Sequence, residues 1–455
     1  MSLTPKVVLD KKHFVEEAAV IVVKEGNKVY AVNTTNKAII AEDEDATTVI
    51  QSARNALTPR RTWKEKVVLK GNFTVNSYIL IPSYTVLEIL GKITATTDAD
   101  ILVVPEGATA VDIIGGHLIG NDNPNEAGAG VKVDTATDVR VLGVKAEKFG
   151  LHGVWLHKSW DCEVAFCEAT DNRQHGILAE GGGRNFIHDN NCWANHRCGI
   201  LLENNDIFDI VKGNQCWNNE HVGIKVGSKC HRAIIANNRC NNNNFEGIDV
   251  EPIAAAGEYT FGVVVEGNVV FSNLWHGILL SGTNVALGLF DCVVANNYVA
   301  ENDRGRTQSY DGIRLDGAVR KCIVIGNRCI DNDRYEISIE SALAEDNMVV
   351  NNNVIGTDHV AAIRNTAIRT LIKGNAGYVT ENSGTAVFSG DGSNKTFTIP
   401  HGLAGAPKSW RVEAGSEDAK GDKYVTADAT NLSVTFDTAP PSGTNNVILV
   451  WQAEM

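Results

Sequence analysis

Nowhere in its 455 residues does the sequence hold an apolar run of about 18 residues, the length a membrane-crossing helix needs. No membrane span is expected. The opening MSLTPKVVLDKK lacks the apolar core of a secretory leader. An excess of positive charge is missing as well: 41 Lys and Arg stand against 55 Asp and Glu, a net charge of -14. That balance removes the phosphate attraction on which DNA and RNA binders rely, so no nucleic-acid partner is expected. There is no GxSxG elbow, no Walker loop and no HExxH pair, which sets aside the serine-elbow hydrolases, P-loop enzymes and zinc peptidases. The ten cysteines include no CxxC pair, so convergent metal ligands are not expected from them.

A repeat is present instead. One phrase returns as HGVWLH, HGILAE, CGILLE, VGIKVG, EGIDVE, HGILLS, DGIRLD and, degraded, YEISIE, with its glycines at 153, 176, 199, 223, 247, 277 and 312. The steps are 23, 23, 24, 24, 30 and 35 residues. A second phrase runs in phase, as HDNNCWAN, KGNQCWNN, ANNRCNNN and their successors. Both alternate with period two, so each is a strand that pairs with its own copies above and below. The expected fold is a right-handed parallel β-helix of two strands per turn, an all-β solenoid over 65–380.

Within it, Asn190, Asn214, Asn238, Asn268, Asn297 and Asn327 form a ladder beside a turn, and Cys192, Cys216, Cys240 and Cys329 fill an inward column as free thiols. Trp193 and Trp217 stack beside them as structural residues. Residues 1–64 read as a hairpin, VIVVKEGNKVYAVN, and a helix, DATTVIQSARNAL, that plugs the open end of the core. Residues 381–455 read as a small β-sandwich of five or six short strands.

The strand phrase presents two outward columns. One reads Trp155, Leu178, Leu201, Lys225, Asp249, Leu279, Arg314, Ser338; the other His157, Glu180, Glu203, Gly227, Glu251, Ser281, Asp316, Glu340. A wetted face needs no function to explain single carboxylates. Here, however, Asp249 and Glu251 point the same way, with Lys225 one coil below and Glu203 two. Carboxyls so close do not ionise independently, and a raised value suits a general acid. The long steps place extra loops, PIAAAGEYTF, SGTNVALGLF and ENDRGRTQSY, beside the same coil. Asp249, Glu251 and Glu203 are therefore the catalytic candidates. Lys225, Arg314, Asp316, Glu180, His175 and His276 are candidate substrate contacts, with Trp155 and Trp275 as flat platforms for sugar rings. No resident metal is assigned.

The xGIxV and xNNxC phrases over about 140–375, with the DATTVIQSARNAL helix and the VVLKGNFTV coil, resemble the pectin-lyase-like superfamily. The resemblance implies a polysaccharide partner lying along one outward sheet face, and an extracellular or particle-surface setting. It spans polygalacturonase-type hydrolases, pectate and alginate lyases, uronan epimerases and phage tailspikes. The polygalacturonase words NTD, DD, GHG and RIK do not occur in these coils. The C-terminal TFTIPHGLAGAPKSW segment is similar to small modules of phage and archaeal surface proteins, which implies attachment or assembly, with a homo-oligomer, for instance a trimer, as one form.

Three readings follow. As a glycoside hydrolase, Asp249 is the acid, Glu251 or Glu203 the base, and Arg314 and Lys225 hold the substrate; no cofactor is needed. As a polysaccharide lyase or epimerase, the carboxylates bind calcium and Lys225 or Arg314 abstracts the proton. As a structural fibre, the coil is a spacer and the C-terminal module binds a glycan or trimerises the shaft.

Overall fold

The computed structural model describes residues 17–122, 127–252, 258–282, 288–357 and 359–455. Val20–Glu25 and Lys28–Asn33 pair antiparallel across a turn at Gly26 and Asn27, and Ile39–Asp43 adds a third strand. Asp45 caps the helix Ala46–Asn55 by accepting from the backbone N–H of Thr47. Val49, Ile50 and Ala53 on its inner face join the solenoid core, so the helix closes one end.

Three parallel strands, and not two, make each coil from Glu65–Lys70 onward. The coil centred on residue 200, for example, comprises Phe186–His188, Asn191–Trp193 and Ile200–Glu203. Its first strand is three residues long and separated from the second by only Asp189 and Asn190, so in sequence the two merge into one phrase. Strands of the same kind stack into sheets of 16, 11 and 12 members, called here the first, second and third sheets.

Between the first two sheets the chain bends through a left-handed residue, Asp189, Gly213, Asn237, Gly267, Asn296 or Gly326, followed by the ladder asparagine. Asp, Asn and Gly are the residues that tolerate this conformation best. The Asn190 amide donates to the Oδ1 of Asn214 at 3.0 Å and to the Val164 carbonyl at 2.8 Å; Asn214 does the same one coil on, and the chain of amides runs to Asn375. A second amide ladder, Asn172, Asn195, Asn219, Asn243, Asn273, Asn302 and Asn332, holds the bend between the second and third sheets and ends on the Glu336 carboxylate. The glycine column has the same origin. A Cβ on Gly176 would lie 2.6 Å from the Gly199 carbonyl and 2.9 Å from the Asn195 amide, so the coils pack too closely there for any side chain.

Cys192, Cys216 and Cys240 pair in register facing inward, and Cys329 returns to that column after Val270 and Val299. All ten cysteines are free and buried. Trp193 and Trp217 stack at 5.0 Å with planes 8° apart. Past the last coil strand, Leu371–Lys373, two three-stranded antiparallel sheets enclose a separate core of Phe397, Ile399, Leu432, Val434, Phe436 and Leu449. Among the described residues no helix is long and apolar enough to cross a membrane.

Candidate functional site on the third sheet

Strand register places the outward columns as the repeat predicts. Leu201 stands opposite Lys225, Lys225 opposite Asp249, Asp249 opposite Leu279 and Leu279 opposite Arg314; in the second column His157, Glu180 and Glu203 are consecutive. The centre of the cluster is Lys225. Its Nζ lies 2.6 Å from the Asp249 carboxylate and 2.9 Å from that of Glu251. Burial alone would lower the lysine, but the two carboxylates hold its pKa above the ordinary value.

Asp249 is 2% exposed. Burial raises its pKa in spite of Lys225, and its second oxygen has no hydrogen-bond partner among the described residues. Glu246, equally buried, is pushed up by burial and by the charge of Asp249. Asp249 accepts from Lys225, and neither Asp249 nor Glu246 lines the open groove.

The open groove lies one coil lower. A cleft of about 420 Å³ is lined by His175, His196, Arg197, Glu203, His221 and Lys225. Burial, with Glu180 next, raises the Glu203 pKa. Burial, then Lys225 and Arg197, lowers that of His221, so its imidazole is neutral. Gly227 follows Val226 in the strand between Glu203 and Glu251 and contributes no side chain to that column. The Glu203 and Glu251 backbones are thus two coil steps, roughly 9–10 Å, apart, and the Glu203 side chain reaches toward the free position, its Oε1 3.6 Å from where a Cβ of residue 227 would stand.

Other predicted residues fall elsewhere. Arg314 is held by Glu340 at 3.0 Å and Asp316 at 3.1 Å, in a separate network where Arg334 makes a two-pronged contact with buried Asp311. Leu279 intervenes, and three coil steps put this network roughly 14 Å from Lys225. Glu180 accepts from the Asn204 amide one coil below Glu203. His175 lines the cleft, yet its Nδ1 accepts the backbone N–H of Cys198, as that of His276 accepts the N–H of Asp311. Burial keeps both imidazoles neutral, with His276 down to about 3.

The platforms also differ from expectation. Trp275 stacks on Tyr310 on one side and packs against Phe245, tilted at 46°, on the other, in a file begun by His221, so neither face is left as an open platform. Lys132 covers the Trp155 ring at 4.6 Å, three coils below Lys225. Of the loops, Tyr259–Phe261 and Gly288–Phe290 pair with Val319–Arg320 in a small extra parallel sheet, while 253–257 and 283–287 lie outside the described residues. The 301–310 loop is organised by Asp303, which accepts from the N–H groups of Thr307, Ser309 and Tyr310.

Sequence reasoning passed over His196, Arg197, His221 and Glu246. Arg197 and His221 precede the glycine column by two places, as Phe245, Trp275 and Tyr310 do, so reading the repeat one position further upstream would have found them.

The family model for a right handed beta helix region matches residues 103–252, about a third of the chain. Compared by sequence with curated proteins, the chain has no match. Among solved structures it is similar to the A-module of a mannuronan C-5 epimerase of Azotobacter vinelandii, with a TM-score of 0.61 at 15% identity over 73% of this chain and 95% of the module. The Dettilon tailspike protein gives a TM-score of 0.58 at 16% identity, covering 90% of this chain and 91% of its own. A second epimerase A-module of Azotobacter vinelandii gives 0.51 at 15% identity over 73% and 93%. Coil register, family match and structural likeness agree: the chain has the right-handed parallel β-helix fold.

Proposed function

We propose that this chain acts on a polysaccharide laid along the third sheet, as a glycoside hydrolase whose reacting bond lies over Gly227. The observation that carries the reading is the side-chain-free Gly227, which follows the middle of three paired strands whose outer two are followed by or end on Glu251 and Glu203, with Glu203 and Lys225 lining the open cleft. A separation of about 6.5–9.5 Å between acid and base leaves room for a water and implies inversion at the anomeric carbon. Glu203, whose pKa is raised by burial and by Glu180, gives its proton to the leaving glycosidic oxygen. Glu251 takes a proton from the water that attacks the opposite face of the sugar. Lys225 restrains Glu251 and faces the cleft, and Asp249 fixes Lys225. The tailspike likeness extends over 90% of the chain and supports a role for the C-terminal sheets in attachment to a larger assembly.

A second reading has its own support. Arg197 is exposed in the cleft with no carboxylate partner among the described residues, beside the neutral imidazole of His221. That pairing suits a uronate, with Arg197 on its carboxylate and His221 taking the adjacent carbon-bound proton, as in a lyase or epimerase. Calcium on the outward carboxylates would belong to this chemistry.

Incubation with neutral and acidic polysaccharides, with and without chelator, separates the readings. Hydrolysis releases reducing ends without ultraviolet absorbance and is indifferent to chelator; elimination gives absorbing products. Release of neither from any glycan that the protein binds would end the hydrolase reading.

A further inference from the structure

The first sheet carries a second surface that the cleft does not use. Its inward residues, Ile187, Val211, Ile235, Val265, Val294 and Val324, are fully buried in the core. The neighbours that point outward should be polar on a wetted face. In the early coils they are, as Asp112, Arg140 and Glu163 stand in register. From the next coil the same column reads Phe186, Ile210, Ile234, Val264, Val293, Ile323, Met348 and Leu371, eight apolar side chains in unbroken register. None of the eight is buried; Phe186 is 36% exposed, Ile210 37%, Met348 36% and Leu371 48%. Toward the C-terminal end the strip widens, because the partly exposed Ile325 and Val350 occupy the second outward column.

We infer that this strip is where a second copy of the chain packs, with the two solenoids side by side. Eight side chains over seven coil steps make a straight apolar strip roughly 34 Å long. Its open area, roughly 400–500 Å², is that of the largest single patch on a typical monomer, the kind of patch that is often functional. The rim here alternates in sign: Arg184 pairs with Asp161, and Arg369 with Asp346 and Glu345. Two copies meeting along it juxtapose no block of like charge, despite the net -14 of each chain. A strip this straight, repeating at the coil spacing, is matched in length and period by another such rod. A stable interface buries roughly 800 Å² per partner, so the charged rim has to take part along with the strip. The cleft lies on a different sheet and stays open in such an assembly.

Sedimentation velocity of the full chain tests this. The wild type is expected to run as a dimer or larger across the micromolar range. Ile323→Glu combined with Met348→Glu should run at the 49.0 kDa monomer mass with unchanged circular dichroism and Tm. Val269→Glu with Tyr298→Glu, on the exposed face of the second sheet, should keep the wild-type assembly. Amide exchange of the wild type at low and high micromolar concentration gives a readout that needs no variant: concentration-dependent protection is expected at Ile323–Ile325 and Met348–Val350 and not at Val269–Phe271. A monomeric wild type, assembly that survives the strip variant, or exchange independent of concentration would each overturn the inference.

Discussion

At the scale of single residues, the candidate site depends on which carboxyl meets the substrate. Glu203 lines the cleft, and the buried Asp249 does not. Glu203→Gln is therefore expected to lower glycan cleavage by a factor of about 100 or more, the usual contribution of a general acid, with no loss of thermal stability. Asp249→Asn should cost less activity and shift the pH profile, because it loosens Lys225 without removing a group from the cleft. Gly227→Val probes the gap. A Cβ there meets the Leu202 carbonyl at 3.3 Å and the Glu203 Cγ at 3.4 Å, contacts that small shifts relieve, so the fold should persist while KM rises. A separate buried pair makes a stability prediction. Asp206 and Asp209 are both fully buried, and burial, then the charge of Asp209, holds the Asp206 pKa well above the ordinary carboxylate value. The folded protein thus keeps a proton that the unfolded chain has released. Stability is full below the ordinary aspartate value and falls as pH rises toward the raised one. Asp206→Asn removes that penalty, so urea unfolding at pH 8 should show a gain in stability over the wild type that vanishes near pH 4.

At the scale of elements, the amide ladders and the inward columns explain why strands of three residues suffice. Each ladder asparagine closes hydrogen bonds to two neighbouring coils, so Asn219→Ala strands the Asn195 amide and backbone N–H below and bares the Cys192 carbonyl. A cost of about 2–4 kcal/mol in denaturant titration is expected, since buried groups left unpaired lose more than one bond is worth. The cysteine column should remain reduced, and alkylation of the unfolded, unreduced protein should label all ten thiols. Much of this was legible in the sequence. The glycine steps placed Lys225 opposite Asp249, and the HDNNCWAN phrase announced the first amide ladder. The first-sheet strands were not legible, because they are only about three residues long and a two-residue bend, as between FIH and NCW, merges them with the next strand into one phrase. Nor was the second ladder, whose asparagines are hidden in runs such as NNNN. Burial was the other blind spot: period two shows that Asp249 points outward, but not that neighbours cover it, nor that Phe245 and Tyr310 take both faces of Trp275.

At the scale of the molecule, stacking converts residues about 24 apart into neighbours, so one groove is assembled from segments that never meet in sequence. Such a solenoid is stabilised coil by coil, and rigid carboxyl spacing is a product of that stacking. The most direct test of the account is a crystal structure of the Glu203→Gln variant with an oligosaccharide taken from whichever polysaccharide the wild type binds. The account predicts a sugar ring over Gly227, its glycosidic oxygen at residue 203 and a water at Glu251. A glycan bound only on another face, or one that leaves the gap above Gly227 empty, would contradict it.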